Sequence, residues 1–282
     1  MNTLSQANGT FAIHLLKMLC QGNPSENVCF SPMTISSALA MVLLGAKGDT
    51  AVQICQTFKE SCLKFYHSEM EQLSFAEAAE KSRQHINMWV SKQTKERKPV
   101  QMMLQEDTFS HAYVKEIQAQ VLVMPYEGMD LSFVILLPDE GVDISKVENN
   151  LTFEKLTAWT KPNFMNGTDL YVYLPKFQLQ EDYDMNSLLQ RLGILDIFHG
   201  SKADLSGMST KEDLNLSKFV HKCVVEVNEE GTEAAAASAG EVEFCSCSDS
   251  DPETFCADHP FLFFIMHNKT NSLLFCGRFS SP

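Results

Sequence analysis

Glu229-Glu230-Gly231-Thr232-Glu233-Ala234-Ala235-Ala236-Ala237-Ser238-Ala239 is the stretch whose reading decides the fold, and the unevenly composed 240–253 comes after it. An alanine run is the best helix former there is, so Thr232 to Ala239 is compatible with one or two turns of exposed helix. A helix this short is marginal alone, and the run carries no apolar stripe with which to dock. Read as a strand, period two puts Thr232, Ala234, Ala236 and Ser238 on one face, all small enough to slide between existing strands. Gly231 stands before them as a hinge with free backbone dihedrals. The strand reading, of a segment that awaits a sheet, is the stronger one.

Working outward, Asn215 to Val227 reads as a strand leading directly into this stretch, and beyond it Pro260 to His267 and Ser272 to Phe279 make a terminal hairpin. Upstream, Gln120–Pro125 and Leu131–Leu137 form another hairpin around a Gly128 turn. Thr152 caps a short helix through Trp159, Leu170 to Phe177 alternates as a strand, and Met185, Leu188, Leu189 and Leu192 mark a helix stopped at Gly193. Nearer the N-terminus the period becomes helical. Phe11, Leu15, Leu16, Met18 and Leu19 form one stripe. Ser31 caps a second helix with Pro32 in its first turn, and Ile35, Leu39 and Val42 continue its apolar face to Gly45. Phe58 to Glu69 is helical by pattern. Ser74-Phe75-Ala76-Glu77 is a capping box that opens a helix with Ile86, Trp89 and Val90 on one side, running to about Thr94. Apart from Glu71 to Phe75, nothing strand-like is expected between Gly48 and Lys98. The fold class is α+β, with helices early and mostly antiparallel sheets late.

The totals exclude several functions. At 282 residues the chain can bury a sizeable core, and strands at both ends favour one domain over two. A formal charge of -14 argues against nucleic acid and anionic membrane as partners. No apolar run reaches the length of a membrane span, and the N-terminus lacks the features of a signal peptide, so a cytosolic protein is expected. Nine cysteines, an odd number at irregular spacing, fit reduced thiols better than a disulfide framework. The sequence holds no G-x-S-x-G, H-E-x-x-H, P-loop or G-x-G-x-x-G motif. Cys245, Cys247, Cys256 and His259 do not have zinc-site spacing, so no metal and no cofactor is expected.

Longer motifs carry a family resemblance. Glu-Glu-Gly-Thr-Glu-Ala-Ala-Ala-Ala at 229–237 resembles the hinge of the inhibitory serpins. The likeness extends through Asn27-Val28-Cys29-Phe30-Ser31-Pro32, Ile35-Ser36-Ser37-Ala38-Leu39-Ala40-Met41, Leu174-Pro175-Lys176-Phe177, His221-Lys222-Cys223-Val224-Val225-Glu226-Val227-Asn228, Ala257-Asp258-His259-Pro260-Phe261-Leu262-Phe263-Phe264-Ile265 and Phe275-Cys276-Gly277-Arg278-Phe279-Ser280-Ser281-Pro282. The details are most similar to the ovalbumin-type intracellular branch, near the cytoplasmic antiproteinases that inhibit granzyme B.

The resemblance implies a serpin-like fold in one domain, 1–282, with an exposed reactive loop at about 231–253. It implies a monomeric inhibitor of a granzyme-like or elastase-like serine protease, cytoplasmic, with release outside cells that needs no cleaved signal. The target attacks a loop carbonyl and forms an acyl-enzyme. The hinge residues Glu230, Gly231, Thr232, Glu233, Ala234, Ala235, Ala236 and Ala237 then insert as a new strand in the main sheet and drag the protease with them. Counting from Gly231 along the family's loop makes Cys245 the residue recognised and Ser246 the next one along, with Glu243 and Cys247 as alternatives. A small thiol side chain suits a shallow elastase-like pocket, whereas Glu243 would suit an acid-preferring granzyme. Ser31, Ser36 and Ser37 match serines that lie where the family's main sheet parts, although simple close packing accounts for Ser36 and Ser37 equally well.

Two departures from the family pattern complete the picture. After Ala51-Val52-Gln53-Ile54 the chain passes to Phe58-Lys59-Glu60-Ser61-Cys62-Leu63-Lys64-Phe65-Tyr66, which resembles a much later helix. A second jump falls between Lys95-Glu96 and Arg97-Lys98. The second omission removes the strand that lies beside the insertion site, so the main sheet is expected to be incomplete. A non-inhibitory product, cleaved as a substrate, is therefore the alternative.

Overall fold

The computed structural model describes residues 3–58, 83–90, 97–208, 214–228 and 253–282. Its spine is a nine-stranded sheet with the order β1-β11-β10-β5-β4-β3-β6-β9 and β2 added against β3. These strands are β1 (Val28–Phe30), β2 (Arg83–Val90), β3 (Arg97–Val114), β4 (Ala119–Pro125), β5 (Leu131–Pro138), β6 (Asn166–Pro175), β9 (Glu253–Cys256), β10 (Phe261–His267) and β11 (Ser272–Phe279). A separate two-stranded sheet pairs β7 (Phe177–Asp184) with β8 (Val220–Val227).

The large sheet is covered on both faces, which is why its central strands read as nearly continuous apolar runs. Val134 and Leu136 of β5 join Leu262, Phe264 and Met266 of β10 in one core cluster with the apolar faces of α1 (Thr3–Gly22), α2 (Pro32–Leu43) and α3 (Gly48–Phe58). Phe133, Ile135 and Leu137 turn the other way. They meet Phe261 and Phe263 in a second cluster, which also takes in Phe177, Leu179, Cys223 and Val225 from the small sheet. Phe177 stacks on Phe279 at 4.4 Å between ring centroids and tilts against Phe261 and Phe263, so the two sheets are joined through aromatic contact. A Cβ on Gly277 would overlap the Phe263 ring and lie 2.5 Å from the Val28 carbonyl oxygen, so only glycine allows β1, β11 and β10 to close up here.

Arg278 on β11 fixes the N-terminal third to the sheet. Its side chain is 1% exposed and pairs with the similarly buried Glu148 at 2.9 Å. It also donates to the Glu26 and Cys20 carbonyls, and to that of Asn23, gathering the end of α1 and the turn after it. Glu148 belongs to α4 (Ile144–Asn150), which is capped by Asp143, and α5 (Phe153–Trp159) comes next with Thr152 as its N-cap. The hairpin around Gly128 (φ +79°) and the stop at Gly193 (φ +99°) after α6 (Asn186–Arg191) are as the sequence predicts, each glycine sitting where an L side chain is strained.

Three expectations need correction. The helix predicted from Ser74 to about Thr94 is, over Arg83–Val90, strand β2, so a strand does lie between Gly48 and Lys98. Ile86 and Val90 satisfy a helical spacing and, with Met88, an alternating one, so periodicity alone cannot choose for so short a run. The N-terminal part of β3 decides it: β2 pairs antiparallel with that segment from Arg83↔Leu104 to Val90↔Arg97, giving both backbones ladder partners. In the third case, the strand expected from Asn215 begins only at Val220; residues 214–219 have no regular structure. Asn186 explains this boundary, because its side-chain amide donates to the Ser217 carbonyl and accepts from the Phe219 N–H, holding the approach to β8 out of ladder register. The expected features over 59–82 lie outside the described residues.

Candidate functional site

β8 carries the site, because it is the last described element before the hinge and its alternation is strict. His221, Cys223 and Val225 point inward, while Val220, Lys222, Val224 and Glu226 point out. Only β7 pairs with it among the described residues, in register from Phe177↔Val227 to Asp184↔Val220. Its other edge therefore shows 8 residues of backbone with no ladder partner among the described residues. From Asn228 the chain must cross from the small sheet to the large one, where β9 pairs in parallel with β6 from Leu170↔Glu253 to Tyr173↔Cys256. The whole hinge (Glu230, Gly231, Thr232, Glu233, Ala234, Ala235, Ala236, Ala237) and the bond candidates Glu243, Cys245, Ser246 and Cys247 lie within this crossing, outside the described residues.

Beneath the inner face of β8 stands the N-terminus of α2. Ser31 caps it in extended conformation, its hydroxyl accepting from the Thr34 N–H at 3.3 Å and from the Thr34 hydroxyl at 3.0 Å. The Ser31 N–H donates 3.0 Å to Nε2 of His221, which is 4% exposed. In this bond Nε2 of His221 is the acceptor. Alongside, the Cys29 N–H donates to the Tyr183 hydroxyl at 3.2 Å. Burial pushes the Tyr183 phenol well above its ordinary range. Cys29 and Cys223 form a buried thiol pair in which Cys29 is the donor and is held far above the thiol range. Hydrogen bonding from Cys29, helped by His221, shifts Cys223 downward against the cost of burial.

The three serines singled out in the sequence separate here. Ser31 alone touches the strand that leads to the hinge. Ser36, buried, donates to Asn8 Oδ1 at 2.7 Å and ties α2 to α1, while Ser37 bonds back to the Met33 carbonyl within its own helix. The sequence assigns no role to His221, Thr34 or Tyr183, although His221 sits in a motif shared with the family. The usable signal is the alternation of β8, which places His221 on the same face as Cys223 and Val225.

Burial raises Cys20, Cys276 and Cys256, the last to about 11, so these three stay protonated and unreactive at neutral pH. No group of three or more His, Cys, Asp or Glu residues among the described ones is placed to hold a metal ion. What the site offers is a strand edge fed by a long crossing segment, held over a polar knot at a helix N-terminus.

The small sheet ends at β8 and the chain is next described at β9 of the large sheet, with residues 229–252 between them. The family model for serpins, described as serine protease inhibitors, matches residues 6–59, 52–97 and 95–282. The chain belongs to the serpin family. The breaks in that match fall at the two junctions where the sequence departs from the family pattern. The chain is 50% identical to human Serpin B9 and 38% identical to human leukocyte elastase inhibitor, with 100% of each chain covered. The first alignment runs over 377 positions against the 282 residues here, so it crosses internal gaps. Among solved structures, uncleaved ovalbumin superposes with a TM-score of 0.84 at 28% identity, covering 99% of this chain and 100% of that one.

Proposed function

We propose that this serpin presents the segment 231–253 as a pseudo-substrate to an elastase-like or granzyme-like serine protease, with Cys245–Ser246 as the bond attacked and Glu243 and Cys247 as the neighbouring alternatives. The observation that carries this reading is the position of β8: it ends at Val227, two residues before the hinge sequence begins, and its outer edge has no ladder partner among the described residues. Similarity to leukocyte elastase inhibitor supports an elastase-like protease. One chain engages one protease. The reading places the protein in the cytoplasm, where free thiols persist, with release to the extracellular space as a second location.

A second reading concerns the fate of the acyl-enzyme, and the two-stranded sheet favours it. An inserted hinge strand would find β8 on one side and no described strand on the other. It would gain one ladder where two are needed to outweigh ordering the segment, each hydrogen bond contributing about 0.5–1.5 kcal/mol net. The acyl-enzyme then hydrolyses before the protease is displaced, and the chain behaves mainly as a substrate.

Limited proteolysis tests the location of the loop. Elastase-like or granzyme-like enzymes should cut first between Gly240 and Asp251, as placed by mass spectrometry of the earliest fragments. First cuts within Phe11–Leu44 or Leu131–Leu137 would refute it.

A further inference from the structure

We propose that the outer edge of β8, which has no ladder partner among the described residues, is a self-association surface, on which a second copy of this chain adds its own β8 antiparallel to form a four-stranded sheet β7-β8-β8-β7 across a twofold axis. An unpaired strand edge is a template for another strand, and proteins usually blunt it with proline, a bulge, an inward charge or clustered lysines. β8 has no proline and no irregularity in its register with β7 across all 8 residues. Its outward face carries Val220, 47% exposed, and Val224, 55% exposed, interleaved with one cation and one anion.

The sequence of that face is self-complementary in one register only. In an antiparallel pair the numbers of directly opposed residues have a constant sum and opposed side chains share a face, so a twofold axis must fall on a residue. Centred on Val224, Lys222 of each copy faces Glu226 of the other, giving two opposite-charge pairs. The two Val224 side chains then meet on the axis, and Cys223 faces Val225 on the inner side. Centring on Lys222 or on Glu226 sets like charges face to face. Centring on Cys223 leaves Glu226 against Val220, and centring on Val225 leaves it against Val224. Cross-strand pairs of this sort are the unit of sheet stabilisation, and they select the Val224 register. Lys222 already reaches Asp182 on β7 at 3.0 Å, but that pair is well exposed and leaves the ammonium free to share.

The same edge is the one the hinge strand would take under the proposed function, so pairing and hinge insertion exclude each other. That exclusion rests on the proposed function; the association itself does not, and its test uses no protease.

Sedimentation velocity on the full chain, reduced and at fixed physiological ionic strength, should show a monomer–dimer equilibrium that shifts with concentration. Glu226→Lys should weaken the dimer by about tenfold or more, as should Lys222→Glu, because each sets two like-charge pairs in the ladder. The double variant Lys222→Glu with Glu226→Lys should restore it, since the charges trade places and still meet. Circular dichroism on each variant confirms folding. A chain that stays monomeric at every concentration, a dimer indifferent to Glu226→Lys, or a double variant that fails to recover would overturn the proposal. An independent check is Val224→Cys in a Cys245→Ser, Cys247→Ser background with glutathione disulfide as oxidant, which accepts the two electrons and leaves as two glutathione thiols. Opposed residues in such a pair lie about 4.5–5.5 Å apart at Cα, within reach of a disulfide, so a covalent dimer should form. Val220→Cys should not cross-link. Equal cross-linking at both positions, or none at residue 224, contradicts the register.

Discussion

The two sheets of this molecule share an aromatic seam yet differ in how completely each is enclosed. In the large sheet, β5 and β10 are buried on both faces and flanked by strands on both edges. In the small one, β8 has a partner on one edge only among the described residues, and half of its side chains face outward. Burial on both faces makes a strand expensive to move, whereas one free edge and one free face make it able to accept a new neighbour. On this comparison the large sheet is the stabler of the two.

The largest effect that can break this comparison is at Arg278. Arg278→Met leaves Glu148 buried and unpaired, and should cost about 3–5 kcal/mol of unfolding free energy in urea titrations. Adding Glu148→Leu should recover much of that, because removing both partners of a buried pair is far milder than removing one. A loss below about 1 kcal/mol for Arg278→Met would mean that this junction does not hold the N-terminal helices to the sheet.

Contrast within β8 gives a smaller and sharper test. Val225→Ala removes two buried methyl groups from the seam and should cost about 2 kcal/mol. Val220→Thr on the outward face of the same strand should stay within about 0.5 kcal/mol. Equal losses at both positions would show that the outer face is covered after all.

The smallest effect depends on pH, where the crossing segment rejoins the large sheet. Burial works to lower the pKa of His259, but its hydrogen bonds to Asp258 (2.8 Å) and to the Pro138 carbonyl (2.6 Å), with the charges of Asp258 and Glu140, raise it overall. The folded value thus lies above the unfolded one of about 6.5. The charged imidazole contributes its full stabilisation below about pH 6.5 and loses it as pH rises through the folded value. His259→Asn should flatten that decline in a series of thermal melts, and an unchanged pH profile would show the ring is neutral in the fold.

Much of this architecture is legible in the sequence because its signals are local. Ser31-Pro32, Thr152 and the turn at Gly128 each contain within a few residues the group that caps or bends the chain. β2 reads as a helix because its state depends on β3, whose edge decides between the helical spacing of Ile86, Trp89 and Val90 and the alternation of Ile86, Met88 and Val90. The His221–Ser31 bond escapes the sequence for a related reason: its partners are 190 residues apart, and no spacing rule connects them. The strand that β8 lacks among the described residues, by contrast, shows in the second jump of motif order, since a missing strand leaves its mark in the sequence wherever its neighbours are recognisable.

The consequence of that incomplete sheet is measured most directly by mixing the purified chain with an elastase-like protease, resolving the products on a denaturing gel, and comparing thermal melts before and after loop cleavage. A one-sided ladder beside β8 predicts mainly cleaved chain with little covalent complex, and almost no rise in Tm on cleavage. A stable covalent complex in good yield, or a large rise in Tm, would contradict it.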